Sequence, residues 1–280
     1  MDPFVQAYET GFTPNPCLEC NRYLKFQKMF QRANELDIAY LATGHYAQIE
    51  YHADTGRYWL KKAADLSKDQ SYVLYMLNQE QLARIQFPLG GYTKAQVREI
   101  AEENGFVNAR KHDSQDICFV PDGDYAGFLE RYTGKTYPSG NFVDLQGNVL
   151  GQHRGIVRYT IGQRKGLGLA LPQPHYVCAK HMAQNEVVLG LNEDLFTREL
   201  DAFDINLIPY EQLNEPIRVK AKVRYRHTEQ WATVTQTDTD RLHIVFDEPQ
   251  RAITPGQAVV LYDGDYVIGG GTICANQEEL

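Results

Sequence analysis

The hydrophobic pattern of the chain changes near Tyr132, and this limits the possible folds more than any other feature. Before it, apolar residues recur at helical spacing in several short segments. After it, glycines become frequent and apolar residues alternate with polar ones. Such a chain reads as an α/β part followed by β parts. Its 280 residues can bury a sizeable core, with a prior of about two domains.

In the first part, residues 3–10 read as the end of a helix that Gly11 stops. Thr13-Pro14-Asn15-Pro16 then forces an extended turn, because each proline disfavours the α conformation in the residue before it. Asn21 reads as the cap of the next helix, which runs to about Glu35 and leaves Cys20 at its N-terminus. Ile38–Thr43 reads as a short buried strand that ends in Gly44-His45. A hairpin is expected over 46–51 and 57–62. Ser67–Gln70 leads into a helix through Leu77, and Gln79–Ile85 suggests another. Thr93–Asn104 carries a capping box, with Thr93 as cap and Gln96 three residues on, and Gly105 closes it. Residues 106–120 read as mostly extended and 124–132 as a short helix.

Beyond Tyr132, Asn141–Leu150 and Tyr176–Leu191 read as hairpins. Ile217–Arg226, Trp231–Gln236, Leu242–Phe246, Ala258–Tyr262 and Tyr266–Gly270 read as strands of a small barrel or open β domain. Boundaries are expected near 130 and 200, giving parts 1–130, 131–200 and 201–280.

No apolar run approaches the roughly eighteen residues of a membrane span, and the N-terminus shows no signal core. A cytoplasmic location is the default expectation. Five cysteines are an odd number and too sparse for a secreted disulfide scaffold. The net charge of −8 argues weakly against a nucleic-acid partner, yet Arg164-Lys165 and the run Lys220, Lys222, Arg224, Arg226 could supply a basic face.

Two cysteine stretches carry the chemistry: Thr13-Pro14-Asn15-Pro16-Cys17-Leu18-Glu19-Cys20-Asn21, and Lys111-His112-Asp113-Ser114-Gln115-Asp116-Ile117-Cys118-Phe119. A lone cysteine is most often a small buried hydrophobe. Here each thiol sits at the edge of an element beside polar residues, which favours thiolate chemistry. Cys17-x-x-Cys20 also admits a redox dithiol, or half of a zinc site completed by Cys118 and by His45 or His112. Arg224-Tyr225 pairs a guanidinium with a ring, a combination that grips an unpaired RNA base. The glycine-rich Ile161–Gly168 could cradle phosphate.

These stretches resemble the bacterial tRNA-specific 2-thiouridylases, which replace the 2-oxygen of the wobble uridine with sulfur. The resemblance runs from Thr13–Asn21 with Lys25-Phe26 through Ala42–Tyr46, Ser67–Tyr72 and Asp113–Phe119. It continues through Ile161–Gly168, Val223–Arg226 and Thr254–Gln257, nearly the whole chain. It implies the C-terminal remainder of a nucleotide-binding α/β domain (adenine nucleotide hydrolase-like) with a helical extension, a small central β domain and a C-terminal β-barrel. It implies Mg-dependent use of ATP to adenylate the uridine oxygen. Cys118 would carry persulfide sulfur from a cysteine desulfurase or sulfur-carrier protein. Cys20 would be the nucleophile, closing a Cys20–Cys118 disulfide. Gly44 would touch ATP. Asn15, Pro16, Cys17, His45, Lys68, Asp69, Gln70, Arg224, Tyr225 and Gln257 would contact tRNA, with the tRNAs for Lys, Glu and Gln as acceptors.

The sequence departs from the family in two places. It shows no SGGxDS-type pyrophosphate loop, so the resemblance is to an N-terminally incomplete enzyme that would be inactive alone. Cys17 stands where an aspartate is common; if a carboxylate is needed, Asp113 is a candidate. The alternatives are a tRNA-binding remnant without catalysis and a thiol redox protein using Cys17 and Cys20.

Overall fold

The computed structural model describes residues 1–110, 117–120 and 122–275. Among these the architecture is α/β plus β, arranged around three apolar cores.

The chain opens with helix Asp2–Glu9, whose Phe4, Val5 and Tyr8 are buried. Gly11 turns the chain away with φ of +87°. A second helix begins at Pro16 and continues to Glu35. Its first turn, Pro16–Glu19, is α; Cys20–Lys28 is wound as a π-helix; Met29–Glu35 is α again. Strand β1 (Leu41–Ala42) pairs in parallel with β4 (Ile85–Gln86). Between them lie the hairpin strands β2 (Ala47–His52) and β3 (Arg57–Lys62), a 3-10 turn at Ser71–Leu74 and a helix at Gln79–Arg84. Helix Lys94–Glu103 carries the expected Thr93–Gln96 capping box.

The central part starts with helix Tyr125–Thr133. Four strands follow: β5 (Gly140–Val143), β6 (Val149–His153), β7 (Tyr176–His181) and β8 (Glu186–Gly190). They form a sheet in the order β6-β5-β8-β7, with β5 and β8 parallel. The core beneath it joins Phe142, Val177, Val187 and Leu189 to Phe4, Val5 and Tyr8 of the first helix.

The C-terminal part is a closed barrel. Strands β9 (Phe196–Leu207), β10 (Ile217–Lys222), β11 (Gln230–Asp238), β12 (Arg241–Arg251), β13 (Ala258–Asp263) and β14 (Tyr266–Ile273) pair in the order β13-β10-β11-β12-β9-β14, and β14 closes back on β13. The alternation of side chains on β13 explains how the parts join. Val259 and Leu261 point into the barrel with Val219, Ala221 and Val223. Ala258, Val260 and Tyr262 point outward, into a core shared with Leu18, Phe26, Phe30, Leu60 and Tyr72. One strand thus packs the barrel interior on one face and the cysteine helix region on the other.

The structure departs from the sequence reading in several places. The second helix is capped by Asn15, not Asn21: the Asn15 side chain accepts from the Cys17 amide, and Pro16 takes the first helical position. An Asn-Pro pair suits the cap and first positions better than any later residue, because proline lacks the N–H that helix starts leave unpaired. The segment before Leu77 is a 3-10 turn of four residues, not a full helix. Residues 107–110 form a turn rather than an extended run, and 111–116 lie outside the described residues. The barrel has a strand the sequence reading missed, β9, which runs across residue 200. Helix Tyr125–Thr133 likewise runs across residue 130. Hairpin β2–β3 is hydrogen-bonded onto the barrel through the Lys61–Tyr266 pairing with β14.

Candidate functional site

Three segments far apart in sequence converge around the first turn of the cysteine helix. Asn15 fixes that turn, its side-chain oxygen 3.1 Å from the Cys17 amide. Cys17 is exposed and Cys20, one turn further on, is half-buried. The Cys20 N–H is already bonded back to the Pro16 and Cys17 carbonyls. It therefore does not sit at the helix N-terminus as the sequence suggested, and Cys17 occupies the first turn instead. Cys118 is exposed. Burial pushes the Cys17 thiol up, and the Cys20 and Cys118 thiols push it further, while Lys25 pulls it down. The Cys118 segment has therefore come within electrostatic reach of the Cys17–Cys20 turn. No disulfide joins any of the five cysteines. Lys111, His112 and Asp113, expected to tune Cys118, lie outside the described residues.

Behind the cysteine turn lies a buried polar network. Asn21 is 3% exposed and donates to the Val73 carbonyl at 3.3 Å. Its side-chain oxygen lies 3.2 Å from His45 Nε2, and His45 Nδ1 lies 2.8 Å from the Thr43 hydroxyl. Phe26 and Phe87 flank the imidazole. Burial first, and then the Lys25 ammonium, hold the His45 pKa down to about 4. The ring is neutral at pH 7. The tautomer that satisfies both contacts has Nε2–H donating to Asn21 and Nδ1 accepting from Thr43. The sequence reading gave His45 to tRNA; in the structure its ring is buried and bonded to Asn21 and Thr43.

Gly44, the expected ATP contact, lies exposed just past β1. A Cβ added there would meet only Leu89, at an ordinary 3.6 Å. The described residues around it form no tight phosphate cradle and no glycine-rich turn opening a helix. They do not by themselves fit a nucleoside triphosphate.

Lys68, Asp69 and Gln70 were expected at the RNA. Asp69 instead accepts from the Ala63 amide at 3.0 Å and the Ser71 hydroxyl at 2.7 Å. Gln70 accepts from the Tyr46 amide at 3.0 Å. Both acceptors are spent on the scaffold, the normal fate of polar groups in a turn that packs inward. Lys68 is half-buried.

The barrel supplies the opposite wall. Tyr225 is 39% exposed; its hydroxyl donates to the Asp69 carbonyl at 3.0 Å and its ring meets Tyr72 edge-on. Its phenol is pushed up by burial, by Asp69 and by Cys17, which places it beside the cysteine turn. Arg224 donates to the Arg251 and Ala252 carbonyls, and its buried Nε has no partner among the described residues. Burial and Arg251 lower its pKa. Sequence reasoning passed over His227. Its buried Nδ1 also has no partner among the described residues, and burial, Arg224 and Lys222 lower its pKa. The clustered basic residues of β10 and the turn after it were the available signal. Gln257, expected at the RNA, donates to the Thr13 carbonyl at 2.6 Å and so ties the cysteine segment to the barrel.

The glycine-rich segment borders an open cavity of about 370 Å³ that Arg164, Gly166, Gly168, Gln173 and His175 help line. It touches the barrel through Gly162, where a Cβ would sit 2.9 Å from Ala252. Among the described residues no group of three or more His, Cys, Asp or Glu side chains is arranged to hold a metal ion, and no helix is long and apolar enough to cross a membrane.

Comparison with known proteins matches this chain to one group. Residues 1–122 match the tRNA methyl transferase HUP domain, residues 126–191 the tRNA methyl transferase PRC-barrel domain, and residues 197–273 the aminomethyltransferase beta-barrel domain. The tRNA-specific 2-thiouridylase MnmA of Lachnoclostridium phytofermentans is 50% identical over 273 residues, 98% of this chain and 76% of the relative. That of Clostridioides difficile is 50% identical over 98% of this chain and 76% of its own length. That of Acetivibrio thermocellus is 51% identical over 96% of this chain and 75% of its own length. The chain belongs to the tRNA-specific 2-thiouridylase family.

Proposed function

We propose that this chain carries the sulfur-transfer and RNA-holding parts of wobble-uridine 2-thiolation in tRNA. The observation that carries the proposal is that Cys17, one turn before Cys20, lies within electrostatic reach of Cys20, Cys118 and Tyr225. Two thiols brought together beside an exposed aromatic ring suit a reaction in which sulfur passes from a cysteine to a splayed base. The domain descriptions mention methyl transfer; the paired thiols favour the sulfur chemistry of the named relatives.

In this reading a cysteine desulfurase or carrier protein loads Cys118 with a terminal sulfur as a persulfide. The Cys20 thiolate attacks the Cys118 sulfur. The persulfide's sulfur–sulfur bond breaks, the terminal sulfur leaves as hydrosulfide with the electron pair, and a Cys20–Cys118 disulfide forms. The sulfane sulfur is reduced and the two cysteines are oxidised. Tyr225 and the cations behind it, Arg224 and Lys222, hold the anticodon loop through stacking and phosphate contact. Asn15, Pro16 and Cys17 form the surface on which the base rests. The HUP match supports nucleotide use, and ATP would activate the uridine oxygen as a leaving group. The described residues do not build that site, so no role in adenylation is given to them.

Mass spectrometry after incubation with a cysteine desulfurase and cysteine tests the reading without needing ATP. The expected result is added sulfur on Cys118, longer-lived in Cys20→Ser and absent in Cys118→Ser. No adduct, or one confined to Cys17 and Cys20, would overturn the sulfur-transfer reading in favour of an RNA-binding protein or a simple dithiol.

A further inference from the structure

We propose that Cys17 is a third working thiol, which takes the disulfide over from Cys118 and returns Cys118 to the reduced state for reloading. The inference rests on the sulfur-transfer reading above and adds a step after it.

Cys17 and Cys20 lie three residues apart in one helical turn, so their side chains share a face about 5–6 Å apart at Cβ. A disulfide needs roughly 3.5–4.5 Å there. A slight tightening of the turn closes that gap, and this is the helix's first turn, the part that yields most readily. Solvent reaches the participants: Cys17 and Cys118 are exposed and Cys20 is half-buried. The other two cysteines belong elsewhere. Cys178 lies on β7, where burial and Asp194 push its thiol up to about 11. Cys274 lies beyond β14 against Arg241.

The step is an exchange that needs no oxidant. The Cys17 thiolate attacks the Cys20 sulfur of the Cys20–Cys118 disulfide. A Cys17–Cys20 bond forms, the Cys20–Cys118 bond breaks, and Cys118 leaves as a thiolate. The proton lost by Cys17 goes to water. An external dithiol then reduces Cys17–Cys20, while Cys118 is already free to accept sulfur.

Electrostatics favour this order of events. In the reduced protein, burial and the two neighbouring thiols hold Cys17 protonated, against the pull of Lys25. Once Cys20 and Cys118 are joined, neither can carry charge. The two thiol influences that disfavour the Cys17 thiolate then vanish; burial, the largest, remains, with Lys25 acting against it. The Cys17 thiolate is therefore less disfavoured once there is a disulfide to attack.

The test oxidises the full chain with limiting diamide, alkylates free thiols and maps a tryptic digest without reduction. Cys17 and Cys20 share the peptide 1–22, and Cys118 lies in 112–131. The two pairings therefore give an internally closed peptide or a cross-linked pair. In the wild type the expected majority is the closed 1–22 peptide with alkylated Cys118; in Cys17→Ser it is the cross-linked pair with Cys118 protected. A wild type that keeps the cross-linked pair overturns the proposal and leaves the sulfur-transfer reading standing. A Cys17→Ser chain with no cross-linked pair removes the starting disulfide and overturns both.

Discussion

The side-chain amide of Gln257 donates to the Thr13 carbonyl at 2.6 Å, joining residues 244 positions apart. The Thr13 amide returns a bond to the Pro255 carbonyl at 2.9 Å. These two contacts fasten the segment that leads into Cys17 to the loop before β13. Gly256 sits at their centre with φ of +85°, and a Cβ there would lie 2.9 Å from the Phe12 Cβ and 3.1 Å from the Thr13 amide. Gln257→Ala should cost about 1 kcal/mol of stability, the usual worth of one such bond. Gly256→Ala should cost more, roughly 1–3 kcal/mol, because it strains the backbone and forces the segments apart. Urea denaturation of both variants checks the ranking; equal midpoints would contradict it.

His45 makes stability depend on pH. Its pKa is about 4 in the folded chain against an ordinary 6.5. The unfolded chain therefore binds a proton between these values that the folded chain refuses. The contribution is fully present above pH 6.5 and is lost as pH falls toward 4, by roughly 3 kcal/mol in all. His153 and His227 are lowered too, also by burial first, and act in the same direction. The measurement is therefore the difference in pH slope between wild type and His45→Gln, from denaturation midpoints at pH 7.5 and 5. The variant should lose less stability on acidification than the wild type.

Arg22 forms a two-pronged ion pair with Asp204 of β9, one prong at 2.7 Å, and so pins the π-wound part of the cysteine helix to the barrel. The side chains keep 34% and 39% exposure, so solvent screens much of the attraction. A double-mutant cycle with Arg22→Ala and Asp204→Ala should return a coupling of about 1 kcal/mol that shrinks in high salt. A zero coupling at low salt would mean that other contacts alone hold the helix.

Much of this layout was legible in the sequence because it is written in local chemistry. Thr93 and Gln96 announced their helix through a cap that needs no tertiary help. The hairpin 47–62 and the strands from Ile217 onward followed from alternation and turn residues. The cysteine helix misled: Asn21 read as its cap, but Asn15 caps it ahead of Pro16, and Asn21 goes inward to Val73 and His45. That burial is a tertiary event with no local sign. The same holds for Gln70 and Gln257, whose polar groups looked available and bond to distant backbone, while Asp69 bonds within its own turn to Ala63 and Ser71. The family resemblance assigned these residues to the RNA, and no local feature of the sequence signals the bonds they make within the chain.

Tyr225 offers a ring to a base and a hydroxyl to Asp69, and the two roles can be separated. Tyr225→Phe removes the bond to the Asp69 carbonyl and keeps the ring. It should bind an anticodon stem-loop nearly as the wild type does. Tyr225→Ala should weaken binding about tenfold or more if the ring stacks on a base. Fluorescence anisotropy at fixed salt distinguishes them, and equal loss in both variants would assign Tyr225 a purely structural role.

The central claim is that the converged thiols and the barrel wall form one RNA-facing site. The direct measurement is the alkylation rate of each cysteine by iodoacetamide, read by mass spectrometry, with and without an anticodon stem-loop bearing an unmodified wobble uridine. The account predicts that the RNA slows modification of Cys17, Cys20 and Cys118 several-fold and leaves Cys178 and Cys274 unchanged. Unchanged rates at Cys17 and Cys20 under saturating RNA would contradict it, placing the RNA elsewhere on the chain.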